Sequence, residues 1–319
     1  MEIDNVSLSR LYGYSIDDLK KNDTSGNYNQ TFIFRKDGIP YILRVSPSDE
    51  DVNSLNLCMN YLAKHHRLGS AVVEPIKSLH GNFVEQVTSA NGSVHCVTVT
   101  KYEPGTCYEL LNANTLNNDL LRHVGRSLGA FHNNSRKLGD QGHDAKDWHE
   151  GNNCFSVMDF GTAETEMVSL YMDYKRTCLD KEKTDLTYGI IHGDLHFSNI
   201  IIESTEPKVT FCDFDNLCRG YYAMDLAMIL FDLSVILQCS NKEKVLTQKV
   251  TEIVEEYNAA SEVRLEIEDT SDFLKLLEIS LYIHYHQYFA EDTSDEGWLS
   301  LFFPDRRRRI VADIPVLSG

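Results

Sequence analysis

The sequence predicts an α+β protein in two lobes, a small antiparallel sheet followed by a larger, mainly helical part. Residues 28–102 contain short apolar runs separated by turn residues, which is typical of strands joined by hairpins. The rest of the chain contains long stretches whose apolar residues recur at helical spacing. A chain of 319 residues can form a sizeable core, as one large domain or as two lobes. We expect the lobes to be residues 1–103 and 104–319.

The first predicted element is a β-hairpin. Strands at 28–35 and 39–45 flank Lys36-Asp37-Gly38, and Asp-Gly between alternating apolar residues is a strong signal for a tight turn. Residues 55–68 then show helical periodicity. Three further strands are predicted after this helix, at residues 71–78, 83–88 and 94–102.

Helices dominate the predicted second lobe. Residues 118–136 form the clearest one, because their apolar side chains fall on one face. His132 lies next to that apolar stripe, so we interpret it as a packed, structural histidine. The run Arg306-Arg307-Arg308-Arg309 is interpreted as a solvated helix face, with binding of an anion or a phosphorylated partner as the alternative. Further helices are predicted at residues 158–178, 225–239 and 273–289.

The most informative stretch of the chain lies between residues 191 and 215. Asp194 is followed five residues later by Asn199, and Asp213 comes after an intervening apolar segment. Residues 199–203 and 208–212 are predicted to be two strands joined by a turn of Ser, Thr, Glu and Pro. A hairpin of that length would return Asp213 beside Asn199.

These three side chains match the requirements of phosphoryl transfer, in which a protein mainly positions the nucleophile and holds a metal ion. Asp194 could accept or orient a hydroxyl proton. Asn199 and Asp213 offer the oxygen ligands that Mg²⁺ takes alongside nucleotide phosphates. A single His-Gly-Asp is more often a tight turn, and a single Asp-Phe-Asp a strand end. Their order and spacing here favour a functional site.

Residues 192–199, His-Gly-Asp-Leu-His-Phe-Ser-Asn, followed by Asp213-Phe214-Asp215, resemble the aminoglycoside phosphotransferase and choline kinase family. Residues 222–227, Tyr-Ala-Met-Asp-Leu-Ala, resemble its next landmark, where an Asp opens a helix that supports the catalytic loop. The likeness covers most of the chain and is sharpest between residues 188 and 230. It implies a bilobal, protein-kinase-like fold and an ATP- and Mg²⁺-dependent phosphotransferase. The implied acceptor is a hydroxyl of an aminoglycoside-, amino-alcohol- or sugar-like small molecule.

The resemblance also implies a role for each site residue. Asp194 would orient and deprotonate the acceptor hydroxyl, while Asn199 and Asp213 would hold Mg²⁺. His192 and Asp225 would support the loop structurally. The residues implied to contact ATP are Gly26, Asn27, Arg44, Thr100 and Tyr102.

The first lobe departs from the family pattern in three places. Arg44 stands where kinases place a lysine that pairs the nucleotide phosphates, although arginine keeps its charge and can grip phosphate with two donors. Residues 24–30, in the place of the phosphate loop, contain a single Gly. The following helix lacks the Glu that would hold the basic residue, and Glu50 or Asp51 at its start is the possible substitute.

Two alternatives therefore stay open. A protein Ser/Thr kinase would use the same machinery, and a nucleotide-binding protein without turnover would account for the departures in the first lobe. The presence of Asp194, Asn199 and Asp213 together favours an enzyme. A phosphatase or nuclease built on these carboxylates would leave the Asn unexplained.

Composition restricts the partners and the compartment. The formal net charge of −18, from 30 basic and 48 acidic residues, argues against nucleic-acid binding through a broad basic surface. The same charge would steer a cationic substrate, although we regard solubility as its main role. No apolar run approaches the length that spans a bilayer, and no secretory signal is visible. Eight scattered cysteines without a Cys-x-x-Cys pair indicate reduced thiols and a cytoplasmic protein. The oligomeric state is not indicated.

Overall fold

The chain divides into two compact units, Met1–Pro104 and Gly105–Gly319. Helices and strands are both present, and the predicted α+β class is confirmed. Among the described residues, no helix combines the length and the apolar composition that crossing a membrane requires. The computed structural model describes residues 5–14, 20–21, 29–48, 50–107, 116–139, 145–151, 153–203, 208–239, 245–291, 302 and 305–317.

The first unit contains an antiparallel sheet of six described strands and two helices. The sheet order is β1-β2-β3-β6-β4, and β5 also pairs with β6. The elements are α1 (Asn5–Tyr12), β1 (Lys20–Lys21), β2 (Gln30–Lys36), β3 (Ile39–Val45), α2 (Val52–Arg67), β4 (Pro75–Ile76), β5 (Val84–Thr88) and β6 (Val94–Lys101).

The predicted hairpin is present as β2 and β3. Asp37 and Gly38 both have positive φ, 53° and 78°, which is the backbone that matches the twist of two antiparallel strands. Phe34 of β2 and Leu43 of β3 are buried in the core of this unit. Residues that pack together there are Leu8, Tyr12, Tyr14, Phe34, Leu43, Val45, Val87, Val97 and Val99.

One predicted strand of this unit is much shorter than expected. The sequence predicts a strand over residues 71–78, but only Pro75–Ile76 pair with β6. Proline has no backbone N–H to donate to a ladder and is therefore confined to short or edge strands.

The second unit combines two small antiparallel sheets with long helices. Strands β7, β9 and β10 form one sheet in the order β10-β9-β7, and β8 pairs with β11 in the other. The elements are β7 (Thr106–Cys107), α3 (Asn118–Leu138), α4 (Thr165–Leu179), β8 (Tyr188–Ile191), β9 (Ile200–Ile202), β10 (Val209–Phe211), β11 (Cys218–Tyr221), α5 (Tyr222–Cys239), α6 (Leu246–Ala260), α7 (Ser271–Glu291) and α8 (Arg306–Val311), with 3₁₀ turns at Phe197–Asn199, Phe214–Asn216 and Ile267–Thr270.

Local sequence signals account for the ends of α3, whose prediction is confirmed. The side chain of Asn117 accepts a hydrogen bond from the backbone N–H of Leu120 at 2.8 Å and so caps the start. Gly139, with φ of 53°, ends the helix, as glycine commonly does. Helix α4 begins later than predicted, at Thr165. The preceding residues are held in a turn, in which the Asp159 carboxylate accepts from the Gly161 N–H at 2.9 Å.

The interpretation of the arginine run as a solvated face is wrong for its first residue. Arg306 is 2% exposed. Its Nη1 donates to the buried Glu278 carboxylate on α7 at 2.8 Å. Arg307 is exposed and donates to Glu164 and Glu166. These carboxylates are distant in sequence, so the arginine run alone does not predict them as partners.

Helix α5 is buried on every side. Residues 222–237 are all buried, which requires apolar neighbours all around the helix. Two carboxylates, Asp225 and Asp232, are among these buried residues. A buried carboxylate is unfavourable unless hydrogen bonds compensate for the lost water, so both are expected to have donors.

Helices α3 and α6 lie unusually close together. A β-carbon on Gly125 would collide with the backbone carbonyl of Ile253, and one on Gly129 with that of Tyr257. Only glycine allows this approach, because the backbone of the facing helix cannot rotate away as a side chain can.

We expect Gly125→Ala to lower the free energy of unfolding. Alanine is the better helix former by about 1 kcal/mol, but forcing an extra carbon into a packed interface costs about 1–3 kcal/mol. Urea denaturation would measure the change. Gly151→Ala is the control, because a β-carbon there meets only one side-chain atom, at 3.9 Å. An unchanged urea midpoint for Gly125→Ala would contradict the close packing.

Candidate active site

The loop after β8 is held by the carboxylate of Asp225 in the first turn of α5. Oδ2 of Asp225 accepts from the backbone N–H of His192, and Oδ1 accepts from that of Gly193, both at 2.9 Å. Nε2 of His132 on α3 lies 3.1 Å from Oδ2. The Asp225 side chain is 1% exposed, so these donors replace water around a buried charge.

His132 is best described as a neutral imidazole. Its Nδ1 lies 2.9 Å from the hydroxyl of Tyr257 on α6, and its Nε2 faces Asp225. A neutral ring that accepts from Tyr257 and donates to Asp225 satisfies both contacts. Burial lowers the pKa of His132, although Asp225 acts in the opposite direction. Burial also raises the pKa of Asp225, but the bond from His132 and the neighbouring donors outweigh it, and the net pKa is lowered.

The ring of His192 joins the two segments that carry the candidate site. Its Nε2 lies 2.9 Å from the backbone carbonyl of Cys212, to which it can donate. The backbone N–H of Asp194 approaches Nδ1 of the same ring at 3.3 Å. His192 therefore connects the loop around Asp194 to the end of β10, and it is itself fully buried.

Asn199 and Asp213 come from neighbouring positions of the β9–β10 hairpin. Nδ2 of Asn199 donates to the backbone carbonyl of Asp194 at 2.9 Å. The backbone N–H of Cys212 donates to the carbonyl of Asn199 at 3.0 Å, so the next residue, Asp213, follows directly from that pairing. The chain turns sharply there, because Asp213 has left-handed backbone angles, φ 61° and ψ 63°. Such a conformation is uncommon outside glycine and is frequent at functional sites.

Asn216 contacts Asp194, and sequence reasoning did not identify it. Its Nδ2 donates to Oδ2 of Asp194 at 3.1 Å. This approach depends on Gly193, whose φ is 79° and at which a β-carbon would collide with the carbonyl of Asn216. No motif in the sequence links Asn216 to Asp194, since the two residues meet only through folding.

Two more side chains lie near the loop. Nε2 of His196 is 4.0 Å from Oδ1 of Asp194, and the His196 side chain is 34% exposed. The carboxylate of Asp232 accepts from the backbone N–H of Phe197 at 2.8 Å. Sequence reasoning did not identify Asp232, which is embedded in the apolar sequence of α5.

The residues predicted to contact nucleotide lie in the first unit. Arg44 is on β3, and when the Asn29 amide is oriented with its oxygen towards Arg44, this oxygen accepts from Nε of Arg44 at 3.1 Å. Thr100 is on β6 opposite Ile42. The backbone N–H of Tyr102 donates to the carbonyl of Pro40 at 3.2 Å. Gly26 and Asn27 lie outside the described residues.

The carboxylate of Asp51, one of the two possible substitute partners for Arg44, caps α2. It accepts from the backbone N–H of Asn53 at 3.0 Å and from the hydroxyl of Ser54 at 2.8 Å. The start of α2 therefore uses both oxygens of this carboxylate.

Comparison with known families identifies one match. The profile described as "Phosphotransferase enzyme family" matches residues 21–240, which is more than half of the chain. No curated protein is significantly similar in sequence.

Several solved structures have a similar fold. An amicoumacin kinase in complex with AMP-PNP, Ca²⁺ and Ami superposes with a TM-score of 0.79 at 17% identity, over 98% of this chain and 93% of that one. A microcompartment-associated aminopropanol kinase has a TM-score of 0.68 at 19% identity, over 98% of both chains. A spectinomycin phosphotransferase in complex with ADP and spectinomycin has a TM-score of 0.61 at 12% identity, over 93% and 91%. At these identities the likeness establishes the protein-kinase-like fold alone.

The buried His132 makes the stability of the protein depend on pH. Because its pKa is lowered on folding, the unfolded chain takes up a proton below about pH 6.5 that the folded protein does not. The free energy of unfolding then falls as pH falls, by at most about 1.4 kcal/mol per pH unit from this group. His132→Gln can still donate to Asp225 and accept from Tyr257, so it should lose this part of the pH dependence.

Urea denaturation of both proteins at several values between pH 5 and 8 would measure the difference. His123→Gln, on the same helix but at the surface, is the control and should behave as the wild type does. An identical pH dependence in wild type and His132→Gln would contradict a neutral, buried His132.

Proposed function

The chain belongs to the phosphotransferase enzyme family, and we propose that it transfers the γ-phosphate of ATP, with Mg²⁺, to a hydroxyl of a small molecule. The observation that carries this proposal is the grouping of Asp194, Asn199 and Asp213 on one hydrogen-bonded pair of segments. The Asn199 side chain donates to the Asp194 carbonyl. The Asn199 carbonyl accepts from the residue that precedes Asp213.

Asp194 is proposed to take the proton of the acceptor hydroxyl. One of its oxygens, Oδ2, accepts from Asn216, and the other, Oδ1, faces His196 at 4.0 Å. The Asp194 side chain is 27% exposed, so a substrate can reach it. The hydroxyl oxygen bonds to the γ-phosphorus as the bond to the bridging oxygen breaks and ADP leaves. The hydroxyl proton passes to Asp194.

The donor set fits a magnesium ion. The amide nitrogen of Asn199 is used by the Asp194 carbonyl, which leaves the amide oxygen as its ligand atom. Asp213 supplies a carboxylate. In the described part of the chain, no group of three or more His, Cys, Asp or Glu side chains could hold a metal ion. One carboxylate and one amide are typical of Mg²⁺ sites that complete their shell with phosphate oxygens and water. When bound, the ion would neutralise charge on the phosphates.

For the first unit we propose that Arg44 neutralises phosphate charge. With the Asn29 amide oxygen turned towards it, both Nε and Nη2 of Arg44 donate to that oxygen, which orients the guanidinium. The guanidinium keeps its positive charge at all physiological pH values and suits phosphate recognition. Thr100 and Tyr102 are proposed to contact the adenine base, and Gly26 and Asn27 the phosphates. These four assignments rest on the family resemblance.

The acceptor is proposed to be a small hydroxyl compound, and a cationic one would be attracted by the net charge of −18. Structures of similar fold are named for their action on amicoumacin, aminopropanol and spectinomycin, which supports this class. We propose the cytoplasm as the location. Seven of the eight cysteines, at positions 58, 96, 107, 154, 178, 212 and 218, are free thiols, which is compatible with a reducing compartment that also supplies ATP.

We expect Asp194→Asn to lower kcat by about 10²–10⁴-fold with little change in the KM for ATP, because the amide cannot accept the proton. The measurement is Mg²⁺-dependent ADP formation against a panel of aminoglycosides, amino alcohols, sugars and a generic protein. Asp173→Asn is the control, since this carboxylate is exposed on α4 and pairs with Arg176.

The panel also separates the alternatives. Turnover with the protein alone would favour a protein kinase. ATP binding without turnover in the wild type would favour a non-catalytic nucleotide-binding protein. Equal turnover in wild type and Asp194→Asn would contradict the role of Asp194.

We expect Asp213→Asn to raise the Mg²⁺ concentration for half-maximal activity by at least about 10-fold, because the ion loses its charged ligand. Titration of Mg²⁺ at saturating ATP would measure this shift. Asp173→Asn again serves as the control and should titrate as the wild type does. An unchanged Mg²⁺ requirement in Asp213→Asn would contradict the proposed metal site.

A further inference from the structure

Helix α5 provides a second buried carboxylate to the same loop. Asp232 lies seven residues after Asp225, which is two helical turns further along the same face. Its Oδ2 accepts from the backbone N–H of Phe197 at 2.8 Å, and the residue is 5% exposed. The Phe197 ring is fully buried, so this amide lies at an anchored point of the chain.

The two carboxylates hold opposite ends of the segment that carries Asp194. Asp225 binds the amides of His192 and Gly193, which come before Asp194. Asp232 binds the amide of Phe197, which comes after it and opens the 3₁₀ turn Phe197–Asn199. The position of Asn199 therefore depends on this second attachment.

Asp232 is a polar exception in its part of α5. Every residue of α5 between 226 and 231 is apolar, so a leucine or methionine would suit these surroundings, but it would leave the buried Phe197 N–H without its acceptor. Burial does raise the pKa of Asp232, with an opposing effect of the nearby His196. Burying this carboxylate therefore lowers the stability of the folded protein. What it contributes in return is the hydrogen bond that holds the Phe197 amide.

We propose that Asp232 is a positioning residue for phosphoryl transfer, which fixes the spacing of Asp194 and Asn199 by binding the Phe197 amide. This inference rests on the proposed function. Without this bond the second half of the loop has one attachment fewer to α5. The side chain of Asn199, the proposed Mg²⁺ ligand, then no longer keeps a fixed distance from Asp194. Displacements of about 1 Å in such sites cost about 100-fold in rate.

The test compares Asp232→Leu, which cannot accept, with Asp232→Asn, which keeps an acceptor oxygen at the same reach. Asp232→Ser, too short to reach Phe197, is the second variant if the leucine variant does not fold. Asn258→Leu is the matched control. Asn258 lies in α6, and its side-chain oxygen accepts from the backbone N–H of Leu265, which follows the helix, also at 2.8 Å.

Three quantities are measured: kcat, the KM for ATP, and hydrogen exchange of the peptide that contains residues 192–199. We expect Asp232→Leu or Asp232→Ser to lower kcat by about 100-fold with a KM for ATP close to that of the wild type. Exchange in the loop should become faster. Asp232→Asn should restore both properties, and Asn258→Leu should lower the thermal midpoint without changing kcat or the loop.

The outcomes separate this inference from the proposed function. A wild-type protein without kinase activity would overturn the proposed function. In that case the role of Asp232 in holding the loop is tested by hydrogen exchange alone, and an unchanged exchange rate of residues 192–199 in Asp232→Leu or Asp232→Ser would overturn it. In an active protein, the role of Asp232 is overturned by an unchanged kcat in these variants. It is also overturned if Asp232→Asn has as low a kcat as Asp232→Leu. The asparagine oxygen can still accept from the Phe197 N–H, so this variant should keep the loop in position.

Discussion

The carboxylate of Asp225 is the contact on which the candidate site depends. It receives two backbone amides from the loop, at His192 and Gly193, and a third donor from His132. A buried negative charge without donors is strongly unfavourable. The buried position of Asp225 therefore depends on these hydrogen bonds. Because residues 222–237 of α5 are all buried, the loop takes its position from a helix that the rest of the unit encloses.

The close packing of α3 against α6 also affects the Asp225 carboxylate. Gly129 lets α3 approach the backbone of α6 at Tyr257. The hydroxyl of Tyr257 then meets His132, which donates to Asp225. Gly129 thus contributes to the spacing on which a hydrogen bond of the candidate site depends. Phosphoryl transfer suits such a design, because the protein contributes mainly by positioning groups.

Two residues with positive φ lie where the two segments of the candidate site meet. Gly193 and Asp213 both have positive φ, 79° and 61°. The close approach at Gly193 brings Asn216 to Asp194, and the turn at Asp213 follows the pairing of β10 with Asn199. Positive φ costs little at Gly193, which has no β-carbon, but it is unfavourable at Asp213. The bonds from Asp225 and His192 hold this region in place and offset that cost.

Short-range patterns in the sequence were sufficient for much of this protein. The Asp37-Gly38 turn, the ends of α3 and the spacing from Asp194 to Asn199 are properties of adjacent residues, and local backbone preferences determine them. The motifs between residues 192 and 227 by themselves indicate the family, because each is a short run of neighbouring residues. The roles of Arg44 and of the other nucleotide-binding residues remain predictions.

Only the tertiary structure brought Asn216 and Asp232 to the loop, and only it buried Arg306 against Glu278. Each of these contacts joins residues far apart in the chain, and their positions follow from how whole helices and sheets pack. A side chain's partner across such a distance leaves no periodicity or motif in the sequence. The physical reason is that hydrogen bonds between distant segments form after packing has brought the segments together, so packing decides which polar groups meet.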